Sequence, residues 1–440
     1  MTIRNFELKY GKASKSIALD EDKVLQVLES KQQEPIGDIR QAVLEAVRNP
    51  VGTKPLRELV NPGDKVCIVV SDITRAWSKT CEYLPPVIEE LNNNGIPDAD
   101  IFVIVAGGTH RSNTDEEIKI ILGDDLAQRL QVYAHDAYSD VDNIYLGTTS
   151  RGTEVYLDKR AVEADKVILT GGLTPHLFAG FGGGRKSVMP GIAGVKTINH
   201  NHLLALADVQ GEGINKETCL GRVEGNRVNE DMCEVCAFLN PCFLINSVMD
   251  AQGNFAAIFA GHWYDAWYAG TQFVIRQQGV PACGKSDIVI ASGGGFPMDM
   301  NLYQGMKAYV PAVMTLKEHG VMIVTLECED IAEPPIFFDC FRYDDLKEME
   351  QAVRDNFSIP FYVAFYMCCL AAQYTIILVT KEENFTQAAK TGAIPAASLA
   401  EAMQMAEEVL RQQGKEDYTV TVIPYGFTTI PLFADNRTGV

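Results

Sequence analysis

The stretch KVCIVVSD, residues 65–72, is a continuous apolar run that ends in two polar residues. Strands with one face in water alternate apolar and polar side chains, whereas a continuous apolar run is typical of a strand buried on both faces. Helical patterns follow this run and the next one, at 100–110. Similar apolar runs recur at 165–172, 287–295, 320–328, 374–381 and 418–426. The pattern predicts an α/β fold with mainly parallel sheets that are covered by helices.

Length and composition predict two domains. The chain has 440 residues, of which 47% are hydrophobic, and domains usually contain roughly 100–200 residues. The polar, turn-rich stretch RQQGVPACGKS at 276–286 is a candidate linker. We therefore expect an N-terminal domain over 1–275, a C-terminal domain over 285–425 and a tail over 426–440, with a ligand cleft between the two domains.

Charge and hydropathy exclude several classes of partner. The 58 acidic residues outnumber the 38 basic ones, and because nucleic acids and anionic membranes require clustered Lys and Arg, we expect neither as a partner. The uncharged stretch 359–379 is long enough to span a bilayer. However, Pro360 and Gln373 interrupt it and β-branched residues follow, so we favour a buried helix and then a buried strand.

The cysteines predict the compartment. Eleven cysteines lie along the chain without a regular framework, and the polar start MTIRNFELKYGKASKS has no signal-peptide pattern. Scattered cysteines of this kind are typical of a reducing environment. We therefore expect a cytoplasmic protein.

Five glycines surround an Arg-Lys pair in the stretch FAGFGGGRKSVMPG, residues 178–191. Glycines at this density let a backbone come close to a flat group or a phosphate. Neither the P-loop pattern nor the dinucleotide fingerprint fits, because Arg185 stands where each requires a glycine. The stretch therefore predicts a ligand-binding loop of another kind.

Polar residues that can carry chemistry follow several predicted strands. SDITR (71–75) ends one strand, His110 closes GGTHR after the next, and His176 precedes the glycine loop. His200 and His202 follow that loop in INHNH. Open α/β sheets bind ligands at the carboxyl ends of their strands, and imidazole can act as base, acid or metal ligand. A structural role is common for a single histidine, but several in one predicted crevice favour a function.

Two motifs offer groups for an anionic ligand. Arg75 presents a rigid fork for a carboxylate or phosphate, with a surface salt bridge as the alternative. In GGGFPMDMNLYQGMKA (293–308), Gln304 and Lys307 stand three apart and therefore share one face of a helical turn. An ordinary solvated helix face is the alternative there.

Taken in order, SDITR, GGTHR, HLFAGFGGGRKSVMPG, NHNH and GGFPMDMNLYQGMK resemble the nickel-dependent lactate racemase family over nearly the whole chain. The glycine loop and the segment around YQGMK are its specific motifs. The resemblance implies an isomerase, a racemase or epimerase that inverts C2 of a 2-hydroxy acid, lactate or a related acid. It implies proton-coupled hydride transfer to a nickel-pincer nucleotide cofactor, which separate cofactor-assembly enzymes would supply.

The resemblance also implies residue roles. Lys186 would hold the cofactor, nickel pyridinium-3,5-bisthiocarboxylic acid mononucleotide, covalently, while the glycines let the backbone approach it. His202 would ligate Ni(II), with His200 as the close competitor. His110 and His176 would form the catalytic acid/base pair. The cofactor-binding turn would comprise Asp72, Ile73, Thr74 and Arg75, and the substrate carboxylate would be held by Arg75, Gln304 and Lys307.

Two departures and two alternatives accompany this resemblance. Ala76 follows Arg75 where many relatives have proline, and Phe361 and Tyr362 lie where lactate-specific members carry tryptophan. The resemblance therefore implies the reaction class, with lactate as one of several 2-hydroxy acids that could be the substrate. One alternative is a pyridoxal-phosphate enzyme with Lys186 as its Schiff-base lysine. The other is a non-catalytic two-domain protein that binds hydroxy acids. The sequence leaves the oligomeric state open.

Overall fold

Two α/β units make up the computed structural model, which describes residues 2–30, 34–250 and 252–434. Among these residues, the N-terminal unit comprises 34–205, 217–250 and 252–277. The C-terminal unit comprises 2–30, 206–216 and 278–434. The chain therefore passes between the units four times along its described length.

The strands are β1 (Ile3–Tyr10), β2 (Ala13–Asp20), β3 (Val24–Val27), β4 (Val66–Ser71), β5 (Ile101–Ala106), β6 (Gln131–Ala134), β7 (Asn143–Thr148), β8 (Glu154–Asp158), β9 (Lys166–Gly172), β10 (Pro175–His176), β11 (Gly180–Phe181), β12 (Phe243–Met249), β13 (Phe255–Gly261), β14 (Gly279–Pro281), β15 (Ser286–Ser292), β16 (Leu316–Thr325), β17 (Thr375–Val379), β18 (Ile394–Ala396), β19 (Val420–Ile423) and β20 (Ile430–Leu432).

The α-helices are α1 (Ile39–Arg48), α2 (Thr80–Asn93), α3 (Asp115–Leu122), α4 (Asp124–Arg129), α5 (Lys159–Val162), α6 (Val195–Leu203), α7 (Arg227–Leu239), α8 (Asp265–Gln278), α9 (Leu302–Gly305), α10 (Tyr309–Met314), α11 (Pro335–Phe338), α12 (Leu346–Asp355), α13 (Ile359–Gln373), α14 (Phe385–Lys390) and α15 (Leu399–Gln412).

The N-terminal unit is built on a six-stranded sheet with the order β13-β12-β9-β4-β5-β6. Its neighbouring strands are parallel except for the antiparallel pair β12 and β13. Every residue of β4 is buried, and helices α1, α2 and α3 contribute apolar side chains to the core beside it. The run at 65–72 therefore forms a central strand because its apolar side chains are covered on both faces.

The C-terminal unit has its own six-stranded sheet, with the order β18-β17-β16-β15-β19-β3, and all of its pairs are parallel. The antiparallel hairpin of β1 and β2 alternates buried apolar with exposed polar residues. Its apolar face packs into the same core as helix α15. This hairpin therefore covers one part of a sheet whose strands are themselves buried.

The predicted fold class is confirmed. All seven apolar runs form strands, namely β4, β5, β9, β15, β16, β17 and β19. The stretch 359–379 forms helix α13 and then strand β17, as predicted. Across the described ranges of the chain, no helix combines the length and the apolar character needed to cross a membrane.

The division into 1–275 and 285–425 needs correction in two segments. Strand β3 adds to the edge of the C-terminal sheet by pairing with β19. In the segment 206–216, the carbonyl oxygen of Ala207 accepts a 2.7 Å hydrogen bond from Arg354 of helix α12. Residues 2–30 and 206–216 therefore belong to the C-terminal unit, through pairings between distant parts of the sequence. The expected tail over 426–440 contains strand β20, which pairs with β14, and its residues 435–440 lie outside the described residues.

Candidate functional site

The predicted site residues of the N-terminal unit gather at one edge of its sheet. Strands β9, β4 and β5 are neighbours, and Asp72 follows β4 while the turn that ends in His110 follows β5. His176 lies four residues beyond the end of β9. The turn after β5 also contacts the glycine loop, since the amide of Gly108 donates to the carbonyl of Gly191 at 2.9 Å. The predicted site residues thus lie at the carboxyl ends of three adjacent parallel strands, where open α/β sheets bind ligands.

Asp72 orients His110. Oδ2 of Asp72 lies 2.6 Å from Nδ1 of His110, and its Oδ1 accepts a 2.6 Å hydrogen bond from Thr74. Arg75 lies 3.5 Å from the same carboxylate. Burial alone would raise the pKa of Asp72, but the hydrogen bonds from His110 and Thr74 and the nearby positive charges lower that pKa below its ordinary value. An ionised Asp72 keeps the proton of His110 on Nδ1, so Nε2 can accept a proton.

The hydrogen bonds of His176 indicate which of its ring nitrogens carries the proton. The backbone amide of Ala179 donates to Nδ1 of His176 at 3.3 Å. A ring nitrogen that accepts a hydrogen bond carries no proton, so the neutral ring has its proton on Nε2. Nε2 lies 2.8 Å from Nζ of Lys186.

His202 belongs to a cluster with His176, Phe178 and Lys186, whereas His200 points away from this cluster. The fully buried ring of His202 is 5.2 Å from the ring of Phe178, which is itself 4.7 Å from the ring of His176. Burial, and then the charge of Lys186, lower the pKa of His202 to about 3. Its imidazole is therefore neutral and suited to a metal. His200 stands two positions earlier on helix α6, is exposed, and lies 3.3 Å from the carbonyl oxygen of Arg151.

The glycines of the loop make room for the protein itself. At four of the five, an added Cβ atom would clash: with the carbonyl oxygen of Arg222 at 2.0 Å (Gly180), Oδ1 of Asn246 at 2.7 Å (Gly183), the indole of Trp267 at 2.6 Å (Gly184) and the carbonyl oxygen of Ser187 at 2.2 Å (Gly191). Only at Gly182 are the contacts ordinary, at 3.4 Å or more. At those four positions, neighbouring protein atoms therefore require the absence of a side chain.

Arg185 fixes the loop from within. Its guanidinium is fully buried and lies 4.0 Å from the centre of the Trp267 ring. Burial lowers the pKa of Arg185 to about 10. It donates to the carbonyl oxygens of Ala179 and Phe181 at 2.9 and 3.1 Å, and to Oδ1 of Asn229 at 2.8 Å. Of the Arg-Lys pair, the arginine is thus structural, while Lys186 remains beside the two histidines.

The remaining predicted residues divide between the core and the second unit. Ile73 packs on the core of the N-terminal unit, and Thr74 is exposed at its surface. In the C-terminal unit, Lys307 donates to Oε1 of Gln304 at 2.8 Å, so the predicted common face is confirmed. Tyr362 is fully buried in the core of this unit.

Sequence reasoning missed two residues of the cluster. Phe178 places its ring between His176 and His202, and Asn226 at the start of helix α7 donates to the carbonyl oxygen of Phe178. The aromatic residue could have been found, since it stands two positions after a predicted histidine. No local pattern connects Asn226 to the loop, because 48 residues separate it from its acceptor.

One imidazole can serve a metal only when other ligands come from a bound group. Within the described ranges, no group of three or more His, Cys, Asp and Glu side chains could hold a metal ion. His202 and Lys186 together offer one neutral nitrogen ligand and one amine for covalent attachment. Such a pair fits a cofactor that brings most of the metal ligands with it.

Known proteins resemble the chain over nearly its full length. The family models of the lactate racemase N-terminal and C-terminal domains match residues 10–213 and 282–430. A lactate racemase of Thermoanaerobacterium thermosaccharolyticum is 31% identical over 433 residues, which cover 97% of this chain and 99% of that protein. Another, from Lactiplantibacillus plantarum, is 33% identical over 318 residues, which cover 72% of this chain and 73% of that protein.

Solved structures agree with these matches. The lactate racemase apoprotein from T. thermosaccharolyticum has a TM-score of 0.87 and 31% identity, and the match covers 98% of this chain and 100% of that one. A Thermotoga maritima protein with a TM-score of 0.60 and 15% identity, over 92% of this chain and 100% of that one, shares the fold alone. On the strength of sequence identity along its whole length, the chain belongs to the lactate racemase family.

Proposed function

We propose that this protein is a racemase that inverts the C2 centre of lactate or a related 2-hydroxy acid. The observation that carries the proposal is the placement of two histidines at one sheet edge. His110 is oriented by Asp72 through Nδ1, and His176 lies beside Lys186 through Nε2. The lactate racemases that resemble the chain over most of its length support the same reaction.

The proposed cofactor is a nickel-pincer nucleotide attached through Lys186. In support, the Lys186 amine lies 2.8 Å from Nε2 of His176 and near enough to His202 to lower its pKa, and the buried, neutral His202 is suited to ligate Ni(II). His202 is preferred over His200 because only His202 lies with Lys186 and Phe178. Asp72, Ile73, Thr74 and Arg75 form the proposed cofactor-binding turn. When bound, the cofactor would supply an acceptor for the hydrogen that leaves C2 as hydride.

The chain's own residues would handle the protons and the carboxylate. A histidine cannot remove the weakly acidic C2 hydrogen, but it can take the proton of the hydroxyl group. Inversion moves that hydroxyl to the other side of C2, so one histidine serves each enantiomer, with His110 and His176 exchanging the roles of acid and base. Arg75, Gln304 and Lys307 are proposed to hold the carboxylate, which keeps C2 in place while its configuration changes.

Loading and turnover test the proposal together. The chain is co-expressed with cofactor-assembly enzymes, and the Lys186 peptide is analysed by denaturing mass spectrometry beside a nickel determination. An adduct on that peptide, about one nickel per chain, and conversion of a pure lactate enantiomer to the racemate are expected. An unmodified Lys186 and no nickel, when a T. thermosaccharolyticum lactate racemase loads in the same host, would refute the nickel proposal.

The same experiment separates the two alternatives. A pyridoxal-phosphate enzyme would give a borohydride-reducible adduct on Lys186 and a near-ultraviolet to violet absorbance band. A non-catalytic binding protein would bind a 2-hydroxy acid without converting it, and binding would survive replacement of His110 or His176. A panel of 2-hydroxy acid enantiomers then identifies the substrate.

We also propose a cytoplasmic location. All eleven cysteines of the chain have free thiols, which supports a reducing compartment. Fractionation of the native host tests the location.

A further inference from the structure

A buried asparagine controls a peptide group next to His176. Asn226 is completely buried at the start of helix α7. Its Nδ2 donates to the carbonyl oxygen of Phe178 at 2.9 Å and to that of Arg222 at 3.2 Å. Its Oδ1 accepts from the amide of Asn229 at 3.2 Å, which caps the helix. Because the capping bond requires the oxygen to face the helix, the amide nitrogen must face the loop.

The peptide that Asn226 holds is the one that faces the histidine. The carbonyl of Phe178 and the amide of Ala179 belong to a single planar peptide unit and point in opposite directions. One end accepts from Asn226 and the other donates to Nδ1 of His176 at 3.3 Å. Fixing the carbonyl therefore fixes the amide hydrogen, and the two hydrogen bonds in series polarise each other.

We propose that Asn226 is a positioning residue for His176: by holding the Phe178–Ala179 peptide, it keeps the proton of the neutral His176 ring on Nε2, the nitrogen that faces Lys186. The placement of this proton follows from contacts of the chain alone. Its value for catalysis rests on the proposed function, in which Nε2 exchanges a proton with substrate. Arg185 supports the same segment, since it donates to the carbonyl of Ala179 at 2.9 Å.

The substitution Asn226→Asp separates this role from helix capping. An aspartate keeps an oxygen for the amide of Asn229 and caps helices as well as asparagine does. It cannot donate to Phe178 when ionised, and its negative charge repels that carbonyl. The peptide then turns, the amide of Ala179 leaves Nδ1, and the proton can move from Nε2 to Nδ1.

The readout is the tautomer of His176 in the full chain without cofactor. Histidine is labelled with ¹⁵N, the two ring nitrogens are distinguished by their shifts and two-bond couplings, and a His176→Gln variant assigns the signals. We expect Nε2–H in the wild type and, in N226D, a change of about 2- to 10-fold in the tautomer ratio toward Nδ1–H, as the loss of one hydrogen bond predicts. A helix cap without influence on the ring would leave this ratio unchanged.

Asn384→Asp is the matched control. Asn384 is also buried and donates to a backbone carbonyl, that of Cys328 at 2.8 Å, but it lies in the C-terminal unit. N384D is expected to leave the His176 signals as they are in the wild type. If N226D fails to fold by circular dichroism, Asn226→Ser replaces it, because serine keeps a capping oxygen without the charge and is too short to hold the peptide.

Turnover gives a second and separate readout. In loaded enzyme, N226D is expected to lower kcat by no more than the tautomer ratio changes, up to about 10-fold in both directions, while KM changes less than about 2-fold, because fewer molecules have the proton of His176 on Nε2. A wild-type ring with Nδ1–H, or a ratio unchanged in both variants, overturns the inference. If the chain racemises nothing, the proposed function fails, while the tautomer result still decides the role of Asn226.

Discussion

Replacing Gly180 by alanine tests what the glycines of the loop are for. Gly180 has φ +73°, and an added Cβ atom would lie 2.0 Å from the carbonyl oxygen of Arg222. The left-handed backbone costs an alanine about 1–2 kcal/mol. A backbone oxygen cannot swing aside as a side chain does, and the forced shift costs about 1–3 kcal/mol more. We therefore expect Gly180→Ala to lower the free energy of unfolding of the N-terminal unit by about 2–5 kcal/mol.

The assay uses the chain without cofactor, so that loading plays no part. Urea unfolding followed by circular dichroism gives the free energy, and a thermal scan should show a fall in Tm of at least about 4 °C. Gly182→Ala is the control in the same loop. Its φ lies outside the left-handed region and the nearest atom is 3.4 Å from the added Cβ. We expect this variant to stay within about 1 kcal/mol of the wild type.

Two outcomes would refute the packing argument. If Gly180→Ala without cofactor is as stable as the wild type and only loses the ability to load it, then the glycine serves the approach of the ligand. Equal losses of stability in both variants would also contradict it, because the two positions differ in the space that the structure leaves them.

Three further predictions concern single side chains. Arg185→Met leaves three buried acceptors without their donor and should cost roughly 3 kcal/mol in urea unfolding; an unchanged midpoint would contradict this. In chains co-expressed with assembly enzymes, His202→Ala should abolish bound nickel while His200→Ala retains it, as metal analysis can check; equal loss in both would reject the assignment. Although burial raises the pKa of Asp287, hydrogen bonds from a lysine and a threonine lower it to about 2. The ionised carboxylate therefore stabilises the fold above pH 4, and this stabilisation is lost as the pH falls toward 2. The free energy of unfolding of Asp287→Asn should be about 1–2 kcal/mol lower at pH 7 and should fall less steeply with acid. An identical acid slope in the variant and the wild type would count against the ion pair of Asp287 with Lys317.

Seven strands could be predicted because a strand covered on both faces needs apolar residues at every position, and that requirement is visible locally. Strand β3 could not, since only its pairing with β19, far along the chain, makes it part of a sheet. The hairpin of β1 and β2 is also visible in the sequence. Phe6, Leu8 and Tyr10 alternate with polar residues, and all three are buried, as is typical of a strand with one solvated face.

The site was predictable where side chains follow strands. Asp72 and His110 come after adjacent strands, so their contact follows from the topology of a parallel sheet. The purpose of the glycines was not predictable, because a clash with the backbone of Arg222 depends on a segment some forty residues away. The role of Asn226 was not predictable either, because its acceptor is a backbone oxygen, which a residue of any type can supply.

Strand β3 has a consequence for synthesis on the ribosome. Val24 of β3 pairs with Val420 of β19, nearly four hundred residues later. At about 5–20 residues per second, translation supplies this partner roughly 20–80 s after β3 has been made. During that interval the whole N-terminal unit can emerge and fold, while the edge of β3 that pairs with β19 stays unpaired. Unpaired strand edges invite association with other chains, so we expect the nascent polypeptide to depend on a chaperone that shields strands β1 to β3 until β19 has been made.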